Sequence, residues 1–473
     1  MSSAVIVASS SRTDPDASES GCIGPPASSA APEASRANRH PCGARRAGDW
    51  VSREVVMAGT LAAATCTLLV PLLDSAARAL PDSLTPAVTG TTLLRLTSGT
   101  RASERPMAEM THESTARQEG RLADPDVELR TDPRLHPGLR ATFAAFQLDG
   151  HAAPPPVDRT SPPEAIAEMV GASHAAFEGL YAALPSDWPD EVRADVDYRR
   201  ETVTGVDGNE IPLHVFRPAG VEGPLPCLVY IHGGGMTILE AHNVVHRRWS
   251  EDLALTGMVV VTVGFRNAWT EQGTNPFPAG LDDCSSALDW VHAHRADLGI
   301  TRIVLQGESG GANLVLATVL KAKREERLDR VDGVYAMVPY ISGGYGWSRE
   351  RKLRELPSMV ENDGHYINCQ MMDTLVALYD PTGEHAENPL AWPYFATEDD
   401  VTGLPPHVIT VNELDPLRDE GIAYFRLLQR AGVPVVGRVN LGLTHAADMS
   451  FRAAVPEAYK AAVRDIRGFA DTL

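Results

Sequence analysis

The chain has 473 residues, of which 43% are hydrophobic and 22% charged, and its formal net charge is -20. This composition is typical of a soluble globular protein and excludes a membrane-embedded or largely disordered chain. The acidic charge argues against nucleic acid as a partner, because it repels phosphates and no basic stripe offsets it. The length allows one large α/β domain with a cap, or two ordinary domains.

Residues 1–106 differ in composition from the rest of the chain. They are rich in Ala, Ser, Pro and Arg, contain no lysine, and show no sustained helical or strand period. We predict that they are disordered or a non-native extension, with Met107 or Met110 as the natural start. The apolar run Leu61–Leu73 offers the alternative of an export signal. It is too short to span a bilayer, so no stable membrane anchor is expected.

The six cysteines are scattered and form no C-x-x-C motif. Cys227 lies in an apolar strand pattern and Cys284 on a predicted helix. Free buried thiols in a reducing compartment are therefore favoured over a disulfide framework. We expect a cytoplasmic protein, or an exported one if the N-terminal apolar run is a genuine signal.

Residues 107–195 are predicted to form a helical section that contributes to a cap. Its clearest helix begins at Ser161-Pro162-Pro163-Glu164, interpreted as a capping box, and runs to about Leu184. Residues 196–473 alternate strands with helices, which predicts a mostly parallel sheet covered on both faces.

Eight strands are predicted in this catalytic domain. Two of them are nearly continuous apolar runs, as expected of central strands, whereas the second alternates like a hairpin partner near an edge. The predicted strands are Val196–Val203, Ile211–Arg217, Pro226–His232, Met258–Phe265, Arg302–Gln306, Gly333–Pro339, His407–Asn412 and Pro434–Asn440.

Helices are predicted between the strands and after the last one. The stretch of about residues 341–406, between the sixth and seventh strands, is too long for a simple connection and is predicted to be an inserted cap, helical over Met371–Tyr379. It would cover the carboxyl edge of the sheet, where α/β proteins bind ligands. The helices between strands are Val244–Thr256, Gly280–His294, Gly310–Glu326, Gly421–Ala431 and Pro456–Leu473.

Gly307-Glu308-Ser309-Gly310-Gly311 fits the pattern G-x-S-x-G between a strand and a helix. In that context the pattern is typical of a nucleophile elbow, a turn so tight that only glycine fits two residues either side of the serine. Ser309 is therefore the predicted nucleophile. A glycine-rich turn with no chemistry is the alternative reading of this short motif.

His232-Gly233-Gly234-Gly235 follows the third strand and is predicted to form an oxyanion-hole loop. The expected donors are the N–H groups of Gly234, Gly235 and Gly310, while His232 braces the loop by hydrogen bonding. A phosphate-binding loop is disfavoured, because neither a following Lys-Ser/Thr nor G-x-G-x-x-G is present.

Asp415 follows the seventh strand and His445 follows the eighth, so the chain order is Ser, Asp, His, as in α/β hydrolases. Asp415 is predicted to orient the imidazole of His445. Asp419 and Glu420 are second choices for the acid, since both could instead interact with the dipole of the helix that they begin.

Two further sets of residues leave a role open. His242 and His246 have the spacing of a helical metal pair, but no H-E-x-x-H motif or third ligand is evident, so we expect surface histidines and no metal. Five aromatic residues in or beside the insertion could shape a substrate pocket or simply pack in the core: Tyr340, Tyr345, Trp347, Tyr366 and Trp392.

About residues 120–473 resemble the hormone-sensitive-lipase-like esterases, the family IV or α/β-hydrolase fold-3 group. Four landmarks carry this resemblance: His232–Gly235, Gly307–Gly311, Asp415–Glu420 and His445. Within the family, the brefeldin A esterase and heroin esterase branch is the most similar, judged from Val338–Ser342, Pro357–Gly364 and Asn412–Gly421.

The resemblance implies an α/β-hydrolase fold and hydrolysis of short-to-medium acyl esters through an acyl-enzyme, without a cofactor. It implies a small-molecule ester substrate, and a homodimer is possible. The chain has Glu308-Ser309-Gly310-Gly311 where Asp-Ser-Ala-Gly is common in the family, and it has Ala446 where Gly is common. An amidase, a lactonase, or a non-catalytic small-molecule-binding relative remains the alternative.

Overall fold

A computed structural model describes residues 127–185 and 192–473. The predictions on residues 1–106, including the apolar run Leu61–Leu73 and three of the cysteines, lie outside the described residues. None of the helices in the described ranges is both long and apolar enough to cross a membrane.

The described chain begins with two helices, α1 (Pro137–Ala145) and α2 (Pro163–Ala183). The predicted capping box at the start of α2 is wrong. Pro162 is the N-cap residue and makes no side-chain cap hydrogen bond. The Ser161 hydroxyl instead accepts from the Asp158 N–H group at 3.1 Å. Pro163 alone pre-sets the helical φ of the first turn and needs no N–H partner there.

Eight strands form one sheet in the order β1-β2-β4-β3-β5-β6-β7-β8. The eight strands of this sheet confirm the predicted number, and their ends differ from the predicted ones by at most two residues. The strands are β1 (Val196–Thr204), β2 (Glu210–Pro218), β3 (Leu225–Ile231), β4 (Val259–Val263), β5 (Ile300–Glu308), β6 (Gly333–Met337), β7 (His407–Asn412) and β8 (Val435–Asn440).

The sheet is mostly parallel, as predicted. Only β2 pairs antiparallel, with β1 at one edge and with β4, and the pairs from β4 across to β8 are parallel. The two central strands β3 and β4 are almost completely buried, which explains their continuous apolar sequences. Parallel pairing brings the carboxyl ends of β3, β5, β7 and β8 to the same edge.

Helices cover both faces of the sheet. On one face, Trp249 of α3 (Val244–Leu255) meets Tyr459 of the C-terminal helix edge to face, with ring centroids 5.3 Å apart. The helix predicted from Gly421 begins three residues earlier, at Arg418. The other helices that follow β1 and lie outside the inserted stretch between β6 and β7 are α4 (Ala279–Ala293), α5 (Arg295–Leu298), α6 (Gly310–Arg324), α11 (Arg418–Arg430), α12 (Ala447–Ser450) and α13 (Pro456–Asp471).

The stretch between β6 and β7 contains four helices: α7 (Arg349–Glu355), α8 (Ser358–Glu361), α9 (Cys369–Tyr379) and α10 (Glu398–Val401). The segment that precedes α2 is tied to α9, because the Gln370 side chain donates to the carbonyls of Pro155 and Val157. Ser173 of α2 lies 3.7 Å from the sulfur of Met371. The N-terminal helices and the insertion thus meet directly.

The three cysteines among the described residues, Cys227, Cys284 and Cys369, are buried and free. Burial raises the pKa of each thiol. These groups therefore pack as small apolar side chains.

Candidate active site

Ser309 lies in the sharp turn between β5 and α6. Its φ of 56° and ψ of -119° are unusual for a residue with a side chain. A Cβ built on Gly307 would lie 2.4 Å from the backbone of Gly311. Glycine is thus required on both sides of the turn, and Ser309 is left 8% exposed at the carboxyl edge of the sheet.

The loop after β3, His232–Gly235, lies against this turn and is called the glycine loop below. A Cβ on Gly310 would be 2.7 Å from the Gly235 nitrogen and 2.4 Å from the Met236 nitrogen, so the two backbones are in close contact. Gly234 has φ +100° and Gly235 φ +61°, conformations that favour glycine. As predicted, His232 braces the loop: its Nδ1 is 2.8 Å from the Gly233 carbonyl oxygen.

The donors predicted for the oxyanion hole converge on Ser309. Gly234 and Gly235 line the same cavity as Ser309. Within the described ranges, neither of their N–H groups donates to another residue. Gly310 is the first residue of α6, so its N–H has no partner inside the helix. Three amides beside the serine are therefore available to an incoming oxygen atom.

The imidazole of His445 bridges the other two predicted catalytic residues. Its Nε2 lies 2.9 Å from Ser309 Oγ, and its Nδ1 lies 2.8 Å from Asp415 Oδ2. Because a carboxylate only accepts, Nδ1 carries the proton and Nε2 is free to accept from the serine hydroxyl. Asp415 is fully buried, and its Oδ1 also accepts from the Leu417 N–H at 2.9 Å.

The second choices for the acid do not reach His445. Asp419 accepts from the Ser358 N–H at 2.7 Å and so joins α11 to the insertion. Glu420 accepts from the Tyr345 hydroxyl at 2.9 Å and the Ile341 N–H at 3.2 Å. Both carboxyl groups thus position the inserted segment rather than the imidazole.

Hydrogen bonds from the end of β7 hold the loop that carries His445. Asn412, at the end of β7, donates to the Thr444 carbonyl at 2.7 Å and to Asp448 at 3.1 Å. Ala446 adopts φ +50°, a conformation that explains why glycine is common there in the family. Sequence reasoning did not single out Asn412 or Asp448, since a strand-end Asn and a helix Asp have many structural uses.

The expectation that His242 and His246 lie at the surface is wrong for His246, which is 1% exposed. Asn243 is the N-cap of α3, so His242 lies outside the helix and the helical metal spacing is not realised. The ring of His242 stacks on His214, with centroids 4.4 Å apart. In the described part of the chain, His, Cys, Asp and Glu form no group of three that could hold a metal ion.

A small cavity of about 70 Å³ opens onto Ser309 and His445. No lysine or arginine is among its described lining residues. Tyr340 and Tyr366 line it, whereas Tyr345 and Trp392 are core residues and Trp347 packs under Arg351. Sequence reasoning missed the helix residues of the wall, which look like ordinary core positions: Phe177, Tyr181, Met371, Met372 and Leu375.

Comparison with known proteins agrees with this fold. A family model described as the alpha/beta hydrolase fold matches residues 228–449. The chain is 59% identical to brefeldin A esterase, described as a bacterial homologue of human hormone sensitive lipase, over 74% of this chain and 97% of that chain, with a TM-score of 0.73. Esterase Est22 gives 36% identity over 72% and 99%, with a TM-score of 0.64.

Among curated relatives, carboxylesterase NlhH of Mycobacterium tuberculosis is 32% identical over 285 residues, which are 59% of this chain and 83% of the relative. The chain therefore belongs to the α/β-hydrolase fold family, in its hormone-sensitive-lipase-like group of esterases. The likeness to brefeldin A esterase confirms the branch predicted from the sequence.

Replacement of Gly311 by Ala tests the contact between the elbow and the end of β3. The new Cβ would lie 1.9 Å from the Ile231 carbonyl oxygen, so the elbow must shift. We expect kcat for a p-nitrophenyl ester to fall by about a hundredfold, because Ser309 moves out of its position beside the oxyanion amides. Gly468→Ala, on α13 with open space around its Cβ, is the control and should keep full activity. A fully active Gly311→Ala variant would contradict this geometry.

Two buried carboxyl groups predict how stability depends on pH. Burial raises the pKa of Glu308 and that of Glu420 from 4.5 to about 8. Between these values the native state holds a proton that the unfolded chain has released, so stability falls as pH rises. Burial lowers the pKa of three histidines, His214, His246 and His407, to about 4, and their opposite effect on stability is largely complete above about pH 6.5.

We therefore expect the free energy of unfolding to fall by about 2 kcal/mol per carboxyl group between about pH 6.5 and pH 8. Urea unfolding at the two pH values measures this difference. Glu308→Gln and Glu420→Gln should each reduce it, because the amide does not titrate. An unchanged difference in both variants would show that neither group holds its proton in the native state.

Proposed function

We propose that this protein is a carboxylesterase-type serine hydrolase that cleaves short-to-medium acyl esters. The observation that carries the proposal is the position of the His445 imidazole, within hydrogen-bond distance of both Ser309 Oγ and Asp415 Oδ2. Nucleophile, base and orienting acid are thereby connected in the order that acyl transfer needs.

The first half of the reaction forms an acyl-enzyme. His445 Nε2 takes the proton as Ser309 Oγ attacks the ester carbonyl carbon, and Asp415 stabilises the imidazolium. Negative charge then develops on the carbonyl oxygen, where the N–H groups of Gly234, Gly235 and Gly310 would receive it. The protonated Nε2 gives its proton to the alkoxide, which leaves as the alcohol.

The second half of the reaction releases the acid. A water molecule takes the place of the alcohol, and His445 removes its proton as the water oxygen attacks the acyl carbon. The same amides stabilise the second oxyanion. Collapse of the intermediate returns the proton to Ser309 and frees the carboxylic acid, so the cycle needs no cofactor.

The cavity supports an uncharged substrate with a short-to-medium acyl group. Its wall is formed mainly by apolar and aromatic side chains of α2 and α9, together with Ile238 and Leu239 after the glycine loop. A charged acyl group would lose its hydration there without gaining a partner, because no lysine or arginine lines the described wall.

Ser309→Ala tests the nucleophile. The variant should hydrolyse p-nitrophenyl butyrate at least about a thousandfold more slowly, because no hydroxyl remains for attack. A fluorophosphonate should add to the native protein and not to the variant, as read by intact mass. Ser285→Ala, at a buried serine of α4 whose hydroxyl accepts from Arg327, is the control. Full activity of Ser309→Ala would overturn the proposal.

Leu375→Ala tests whether this part of the cavity wall contacts the acyl group. A Cβ on Gly235 would lie 2.7 Å from Leu375 Cδ1, so this side chain closes the cavity above the glycine loop. Its truncation should raise kcat/KM for the octanoyl ester relative to the acetyl ester by about tenfold, the worth of roughly one well-packed methylene or more. Leu378→Ala, buried on the same helix but away from the cavity, should leave the ratio unchanged. Equal ratios in both variants would place the acyl group elsewhere.

A further inference from the structure

Glu308 is a buried carboxyl group that the reaction above does not use. It directly precedes Ser309 and is 3% exposed. Its Oε1 accepts from the Gly233 N–H at 2.6 Å and from the Tyr230 hydroxyl at 3.1 Å. Its Oε2 has no hydrogen-bond partner among the residues that the structure describes. Burial of a carboxyl group with one unpartnered oxygen lowers the free energy of unfolding, so we expect Glu308 to have a function that offsets this cost.

The bond to Gly233 joins the two halves of the candidate site. Gly233 comes immediately before the glycines whose N–H groups face Ser309. A Cβ on Gly233 would lie 3.1 Å from Glu308 Oε1 and 3.3 Å from Ser309 Cβ, so the loop rests directly on the elbow. One dipeptide, Glu308-Ser309, thus carries both the nucleophile and the acceptor that holds the loop.

The loop needs such an anchor because its backbone is strained. Gly234 and Gly235 have positive φ, and so does Met236, at +58°. Positive φ is unfavourable for a residue such as methionine and persists only where surrounding contacts enforce it. The Gly233 N–H bond is a contact of this kind, at the start of the strained stretch.

We propose that Glu308 is a positioning residue, whose Oε1 holds the Gly233 N–H and thereby sets the distance between Ser309 and the amides of Gly234 and Gly235. This inference rests on the proposed esterase function. It assigns Glu308 an effect on the reaction through the loop, without contact with the reacting atoms.

The His246 imidazole lies beside the Glu308 carboxyl group without a hydrogen bond to it. His246 Nδ1 donates to the Glu240 carbonyl at 2.6 Å, and its Nε2 lies 3.6 Å from Glu308 Oε1. Burial lowers the pKa of His246 to about 4, so the imidazole is neutral and supplies no charge to Glu308. An acceptor oxygen at the Oε1 position is therefore what the loop requires, whether or not the carboxyl group is ionised.

The test compares two substitutions of similar size. Glu308→Gln keeps an acceptor oxygen for the Gly233 N–H, and Glu308→Leu removes it. Active sites are counted by the p-nitrophenol burst, or by stoichiometric fluorophosphonate labelling, so that a smaller folded fraction does not affect kcat. Per counted site, we expect kcat for p-nitrophenyl butyrate to fall about ten- to a hundredfold in Glu308→Leu and less than about threefold in Glu308→Gln. KM should change little, because the cavity wall is intact.

Glu308→Asp is the second variant, for the case in which Glu308→Leu does not fold. It keeps the carboxylate but is one methylene shorter, which places its oxygens farther from the Gly233 N–H in this backbone, so its kcat should lie below that of Glu308→Gln. Wild-type kcat in Glu308→Leu, or a Glu308→Asp variant that matches the native enzyme while Glu308→Gln does not, would overturn the inference. An inactive native protein would instead refute the proposed function, so the two failures are distinct.

Discussion

One imidazole accepts a hydrogen bond from a hydroxyl and donates one to a carboxylate, and these two bonds connect three loops that are far apart in the sequence. Ser309, Asp415 and His445 follow β5, β7 and β8, and parallel pairing brings the ends of these strands to one edge of the sheet. The bonds themselves are short, 2.9 Å and 2.8 Å, and largely shielded from water. The rest of the structure holds these loops, and the glycine loop after β3, in fixed positions relative to one another.

Close contacts between backbone segments hold the loops in these positions. The elbow residues Gly310 and Gly311 are so near the glycine loop and the end of β3 that any Cβ would overlap backbone atoms. Side-chain bonds add to these contacts from outside the triad. Asn362 donates to the carbonyls of Glu413 and Asp415, and thus joins the insertion to the loop that carries the acid. The cap is therefore part of the support of the site as well as its cover.

The sequence predicted the sheet, the elbow and the residues now found together, because these depend on local rules: apolar runs for buried strands, glycine where a Cβ cannot fit, and polar residues at strand ends. It failed where tertiary context decides. The capping box at Ser161 was wrong because Pro163 can start the helix alone. His246 looked like a surface residue, yet it is buried beside Tyr181, Tyr230 and His232. Burial of this kind depends on neighbours distant in the chain.

The cavity wall could not be predicted for the same reason. Phe177 and Leu375 lie on helices nearly two hundred residues apart, and at each position the local pattern is that of ordinary core packing. Glu308 was noted only as a departure from the common family pattern. Its role emerges from the distance between its Oε1 and the Gly233 N–H, which no local pattern encodes.

The most direct test of the central claim is a crystal structure of the protein after reaction with a fluorophosphonate. The account predicts a covalent adduct on Ser309 Oγ, with the phosphoryl oxygen within about 3 Å of the N–H groups of Gly234, Gly235 and Gly310. It also predicts that His445 remains bonded to Asp415. An adduct on another residue, or a phosphoryl oxygen directed away from these amides, would contradict it.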